Sequence, residues 1–132
     1  MLSDKKLGGF LMLEALVAAA LLSNFVGSGV YLFKTLADFG QRISHQLLAA
    51  NLAAYQAEKI WGTNFENVVS FKTAENPTDD WAQAVSEARL PEGAGEVAVT
   101  EINQNLKEVT VSVAYQNGKK NEKFILETMV AR

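Results

Sequence analysis

The chain has 132 residues, a formal net charge of −3 at pH 7 and no cysteine. That length carries one folded domain plus an anchor, and the mild acidity argues against direct nucleic-acid binding, which draws on a basic patch. Without cysteine the chain has no disulfide, no thiol nucleophile and no thiolate-held metal.

Lys5 and Lys6 precede Gly8-Gly9, and the 24 residues from Phe10 to Phe33 hold one charge, Glu14. A helix of that length reaches roughly 36 Å at about 1.5 Å per residue, enough for a bilayer core of about 30 Å. Lysines at the start of a span resist translocation and mark the cytoplasmic end. The chain turns polar from Lys34 onward. These features predict a cytoplasmic N-terminus, one span in membrane lipid, and the remainder outside. A secretory signal also opens on basic residues, and Ala18-Ala19-Ala20 imitates its cleavage site. Its apolar part, however, runs only about 7–15 residues. A plain anchor fits the length but leaves Glu14 without a role. A carboxylate inside a span costs on the order of 2.5–3.5 kcal/mol at the centre, so such a residue usually has a partner.

From Lys34 to Trp61 the helical period continues. Leu36, Gly40, Ile43, Leu47, Ala50, Ala54, Ala57 and Trp61 follow steps of three and four, with Phe39, Leu52 and Tyr55 widening the stripe. One long helix over about 10–60 is predicted, its second half amphipathic, with Gly62 as terminator. Gly27-Ser28-Gly29 interrupts the apolar half at roughly 1 kcal/mol per glycine. From the residues alone, the pair suits close helix–helix approach in the membrane. Val68, Val69 and Phe71 suggest a short extended piece or a packed loop. Asn76-Pro77-Thr78-Asp79-Asp80 opens a short helix, with a cap, a first-turn proline and acids at the positive end. Its apolar positions Trp81, Ala84, Val85 and Ala88 carry it to about Leu90. The Pro91–Gly95 stretch is a turn.

Beyond Gly95 the period becomes two. Three antiparallel strands are expected, over about 96–102, 106–115 and 122–130. Val109, Val111, Val113 and Tyr115 share one face. Phe124, Leu126, Thr128 and Val130 share another, with Ile125 and Met129 opposite. Asn117-Gly118 signals a hairpin of type I′, whose two central residues both need positive φ. Lys119, Lys120 and Lys123 read as a solvated edge that discourages strand addition. The apolar face of the sheet needs a lid, and the helix over 47–61 supplies it. The fold class is therefore α+β: one long N-terminal helix on a small antiparallel sheet, with a short extra helix.

This pattern resembles the type IV pilins. Members carry a short basic leader ending in Gly, then Phe, with Glu at the fifth position after the cut and a long apolar helix. Lys5, Lys6, Gly9, Phe10 and Glu14 stand at those positions. The resemblance implies a prepilin leader over 1–9, a transmembrane and filament-core helix over 10–33, and a periplasmic or extracellular pilin domain over 34–132. It implies cleavage between Gly9 and Phe10 by prepilin peptidase, N-methylation of the new Phe10 amine, and Glu14 paired with the N-terminal ammonium of a neighbouring subunit. The implied partners are other pilin subunits and an inner-membrane assembly platform. The stretch from Trp81 through Pro91 and Gly95 to Leu126-Glu127-Thr128 looks like the minor pilins. It also resembles the smaller pseudopilins of type II secretion. Many pilins staple their C-terminal region with a disulfide, and this chain departs from that pattern.

The remaining chemistry-bearing residues read as structural. His45 is the single histidine, and one ligand does not build a metal site. Ser44 or Ser70 beside His45 lacks a nucleophile elbow. Asp79-Asp80 caps a helix and lacks the spaced oxygens of a calcium loop. Trp61 and Trp81 are core anchors, with a subunit contact open to one of them. The expected function is structural: a filament subunit of the minor-pilin class, without catalysis, cofactor or metal. A secretion pseudopilin is the alternative. A membrane-tethered binding or enzyme domain is the third reading.

Overall fold

The computed structural model describes the backbone of residues 2–132 and the side chains from Gly8 onward. The side chains of Lys5 and Lys6, and so the basic part of the expected leader, lie outside the described residues. The chain divides into two units, Met1–Gln41 and Arg42–Arg132. Helix α1 runs over Leu2–Trp61. It begins earlier than the sequence period predicts and passes through Gly27-Ser28-Gly29 without a break. An added Cβ at either glycine would meet nothing within 4 Å.

Among its described residues the first unit is helix alone. From Gly8 to Gln41 every described side chain is exposed.

The second unit is α+β. It holds the last turns of α1, a 3₁₀ turn at Phe65–Asn67, strand β1 at Phe71–Lys72, helix α2 at Asp80–Glu87, and strands β2 (Ala94–Asn103), β3 (Leu106–Asn117) and β4 (Lys120–Ala131). The sheet is antiparallel in the order β1-β2-β3-β4. It has four strands where three are expected. The addition is the extended piece at Phe71, whose two residues pair with Val97 and Glu96. A two-residue strand is too short to show a period. The three predicted strands are present and each is longer than expected.

The β3–β4 register, with Asn117 opposite Lys120, leaves Gly118-Lys119 as the two turn residues. Only Gly118 has positive φ, at 63°. The turn is therefore of the II′ kind, with glycine first, and not the expected I′ turn centred on Asn117-Gly118. Asn117 belongs to the strand.

Side-chain alternation follows the pleat. Val109, Val111, Val113 and Tyr115 are buried against α1, and Val97 joins them from β2. On β4, Val130 is buried and Phe124, Leu126 and Thr128 are half-buried, while Ile125 and Met129 are exposed. The helix, however, presents a different stripe from the expected one. Ala49, Ala53, Gln56, Ala57 and Ile60 are buried, whereas Leu36, Phe39, Ile43, Leu47, Tyr55 and Trp61 are exposed. Of the expected stripe only Ala57 is buried. The reason is volume. Trp81 is fully buried in the same core, and its indole Nε1–H donates to Leu52 O of the helix at 3.0 Å. With an indole and a row of valines beneath it, the helix presents alanines where it is most fully buried, at Ala49 and Ala53. Close packing extends to Gly95, where a Cβ would lie 2.4 Å from Trp81 Cη2.

Helix α2 is capped by Asp79, whose Oδ1 accepts from Trp81 N–H at 2.9 Å. Pro77 lies before the helix and not in its first turn. The helix stops at Glu87, short of the expected Leu90. Arg89 then takes φ 57°, a left-handed conformation that ends helices.

Candidate functional site

Three places hold chemistry worth weighing: the start of the apolar helix, the buried polar groups of the second unit, and the free side of the helix against the β3–β4 hairpin.

In the first unit Gly8 and Gly9 are helical and exposed, and Phe10 follows at 72% exposure. Leu13, Val17, Leu21, Phe25 and Phe33 are each more than half exposed. The helix is long and apolar enough to cross a membrane, with a mean hydropathy of 1.9 over its most apolar window and none of that window buried. The polar side chains within it are mostly tied down. Ser23 Oγ donates to Ala19 O at 2.8 Å, Asn24 Nδ2 to Ala20 O at 3.1 Å, and Thr35 Oγ1 to Tyr31 O at 2.9 Å. Each bonds the preceding turn, the ordinary solution for a polar group in an apolar helix. Glu14 is exposed and has no ion pair or side-chain hydrogen bond among the described residues. A carboxylate cannot bond a carbonyl, so it has no such local solution. Phe10 and Glu14 are four residues apart and share one helix face.

In the second unit the expected candidates have structural surroundings. His45 is half-buried with its ring edge-on to Tyr115, centroids 6.1 Å apart. Tyr115 donates its phenolic proton to Glu122 Oε2 at 3.0 Å. Burial, and then the Glu122 carboxylate, push that phenol above its ordinary pKa of 10.0. Ser70 Oγ accepts from Val99 N–H at 3.0 Å, which ties it to the sheet and not to His45. Asp79 is occupied by its cap bond and stands 3.8 Å from Lys59 Nζ. No group of three or more metal-ligating side chains comes together among the described residues. Trp81 is core. Trp61 is 59% exposed and donates Nε1–H to Thr128 Oγ1 at 3.1 Å.

Sequence reasoning passed over Lys107. It is buried on the helix-facing side of β3, where its Nζ donates to Phe65 O at 2.8 Å and Val68 O at 3.2 Å. It also lies 4.6 Å from the Phe65 ring centroid. The available signal was its place in the alternation: Lys107 falls in the same phase as Val109, Val111 and Val113, where a lysine is out of pattern.

Ile43, Leu47 and Ala50, part of the stripe that the core leaves out, line an open groove of about 670 Å³ with Tyr115 and Phe124. Glu122 and Lys123 stand at its side. Gln46 completes the lining, and the walls are otherwise mostly apolar. Comparison with known protein families, with characterised proteins and with solved structures finds no match to this chain.

Proposed function

We propose that this chain is a structural subunit of a type IV pilus-like filament, of the minor-pilin class, and that the region from Gly9 to Glu14 is where it is processed and assembled. The observation that carries the reading is Glu14. It is the only charge between Phe10 and Phe33, and it sits exposed on a stretch of helix whose side chains from Gly8 to Gln41 are all exposed.

Cutting the chain between Gly9 and Phe10 creates a new ammonium at Phe10, one helical turn before Glu14. The mature segment then carries one positive and one negative charge and is neutral as a whole. Charges set in an apolar surround are tolerated when they meet an opposite charge and are costly when alone. Between neighbouring helices in a filament core, each Glu14 meets the Phe10 ammonium of another subunit, which fixes the axial offset as well as offsetting the burial. The apolar flanks from Leu11 to Phe33 then bury one another. The subunit waits in the inner membrane with its N-terminus cytoplasmic, is cut there by prepilin peptidase, and carries its sheet domain outward. The chain uses no cofactor and catalyses nothing in this reading.

Mass measurement of the N-terminal peptide of the mature protein tests the processing. The expected peptide begins at N-methylated Phe10, and an intact Met1 terminus overturns the reading. The same material carrying Glu14→Gln should insert and fold as before but enter filaments poorly. Insertion survives because each Leu, Val or Phe near the span centre gains about 0.3–0.6 kcal/mol, and Glu14 lies toward one end, where its cost is smaller. Polymerisation undiminished by Glu14→Gln would remove the role assigned to the carboxylate.

A further inference from the structure

Strand β4 is the last strand of the sheet and pairs on one side only. Its register with β3 is unbroken from Lys120 to Ala131, without bulge or proline. Long, regular free edges are uncommon, because their unpaired N–H and C=O groups accept any added strand. Which groups are free follows from the turn. A two-residue hairpin makes Asn117 and Lys120 a hydrogen-bonded pair, and such pairs alternate along the ladder. Gln116 agrees with this phase, since its N–H turns away from β4 and donates to Pro91 O at 2.7 Å. Asn121, Lys123, Ile125, Glu127 and Met129 therefore turn their backbone groups to the open side. All five also carry exposed side chains.

We propose that the β4 edge docks on the β4 edge of a second copy of this chain, antiparallel, about a two-fold axis at Ile125. The charge pattern selects this occupant and this register. With Ile125 opposite Ile125, Lys123 faces Glu127 of the other copy, and Glu127 faces its Lys123. Asn121 faces Met129, and on the helix side Phe124 faces Leu126. Neither Lys123 nor Glu127 has an ion-pair partner among the described residues of its own chain. Sliding by one step sets Lys123 against Ile125 or Met129. Sliding by two sets Lys123 against Lys123 or Glu127 against Glu127, and like charges directly opposite are destabilising. Lysines on an edge ordinarily repel an added strand. Here Glu127 converts that repulsion into a preference for one register. A contact with two-fold symmetry closes on itself and does not propagate, so it pairs chains and is separate from any filament built through the helix.

The absence of cysteine makes a single introduced thiol a clean reporter in the full chain, held in detergent. Ile125→Cys should form a disulfide-linked dimer on mild oxidation. Opposed Cα atoms of a hydrogen-bonded pair stand about 5.5 Å apart, within the range of about 4.4–6.8 Å that a disulfide spans. Asn121→Cys or Met129→Cys alone should not link, since each lies roughly 27 Å from its own copy at about 3.4 Å per residue. The two variants mixed should link. Lys123→Glu or Glu127→Lys, each built into the Ile125→Cys chain, should slow linking about tenfold. Mixing those two restores both opposite-charge pairs and should restore the rate, which separates lost docking from lost folding. Failure of Ile125→Cys to link, linking of Asn121→Cys alone at the same rate, or no recovery on mixing the charge variants each overturns the pairing.

Discussion

The phenol of Tyr115 joins two strands beneath a helix. Its O–H reaches Glu122 Oε2 at 3.0 Å on the paired residue of β4, and its ring meets the edge of His45 from α1. Burial raises its pKa first, and the neighbouring carboxylate adds to the rise by accepting the proton and by its charge. A group whose folded pKa lies above its unfolded one stabilises the fold fully below the unfolded value. That stability is lost as pH climbs through the folded value. Tyr115→Phe removes the hydrogen bond and should cost about 0.5–1.5 kcal/mol at pH 7. The gap between the two proteins should close as pH rises beyond about 10, because the ionised phenolate repels Glu122. Denaturant midpoints of both proteins at pH 7 and in steps above pH 9 measure this. A gap that widens with pH would show that the bond to Glu122 is not what Tyr115 contributes. Tyr115 was legible as a core position from its alternation with the valines, but its partner was not. Glu122 becomes its neighbour only through the hairpin register, and that register turns on whether Asn117 belongs to the strand or to the turn.

At the scale of elements, β3 does two jobs. Its valines make the floor of the core, and its Lys107 holds the connection that follows α1. The ammonium donates to two backbone carbonyls, Phe65 O and Val68 O, on the chain just before β1. Its approach to Glu101, at 3.9 Å, adds little, because that carboxylate is 76% exposed and screened by water. Lys107→Met keeps the apolar stem and removes the donors. It should destabilise the unit by about 1.5–3 kcal/mol, the usual range for hydrogen bonds to a charged group. Hydrogen exchange gives the specific readout: amides over 65–72 should exchange faster, including those of β1, while the β3–β4 hairpin stays protected. Uniform acceleration across the sheet would mean that Lys107 acts on the core and not as a clasp. The long strands and the helix were readable because their periods run for many residues. The face of the helix was not, because Ile43, Leu47, Ala50 and Ala54 keep helical spacing as well as Ala49, Ala53, Gln56 and Ile60 do. Size favours the first set on a hydropathy argument. The core chose the second, because Trp81 and the valines had already filled the space that leucines would need.

For the whole molecule, the division at Gln41–Arg42 separates two kinds of stability. The second unit has its own core, running from Ala49 and Ala53 through Trp81 to Val113 and Val130. Every residue of that core lies between Arg42 and Arg132. The first unit has no core among its described residues, and its described leucines, valines and phenylalanines are all exposed. A monomeric soluble protein seldom shows an apolar patch beyond a few hundred Å², so that surface calls for lipid, detergent or other helices. The intact chain should therefore be recovered from membranes and stay monodisperse only with detergent. A fragment from Arg42 to Arg132 should be soluble and unfold in one cooperative transition, as single domains of this size do. Its far-ultraviolet spectrum should show both helix and strand. The fragment also separates the two proposals made for the molecule, because it lacks Glu14 and the span but keeps β4. Filament entry should be abolished in it, and any pairing through the sheet edge should survive. An intact chain that remains monomeric in plain buffer would contradict the membrane assignment. A fragment that gives only a broad, non-cooperative transition would show that the sheet domain depends on the helix before Arg42.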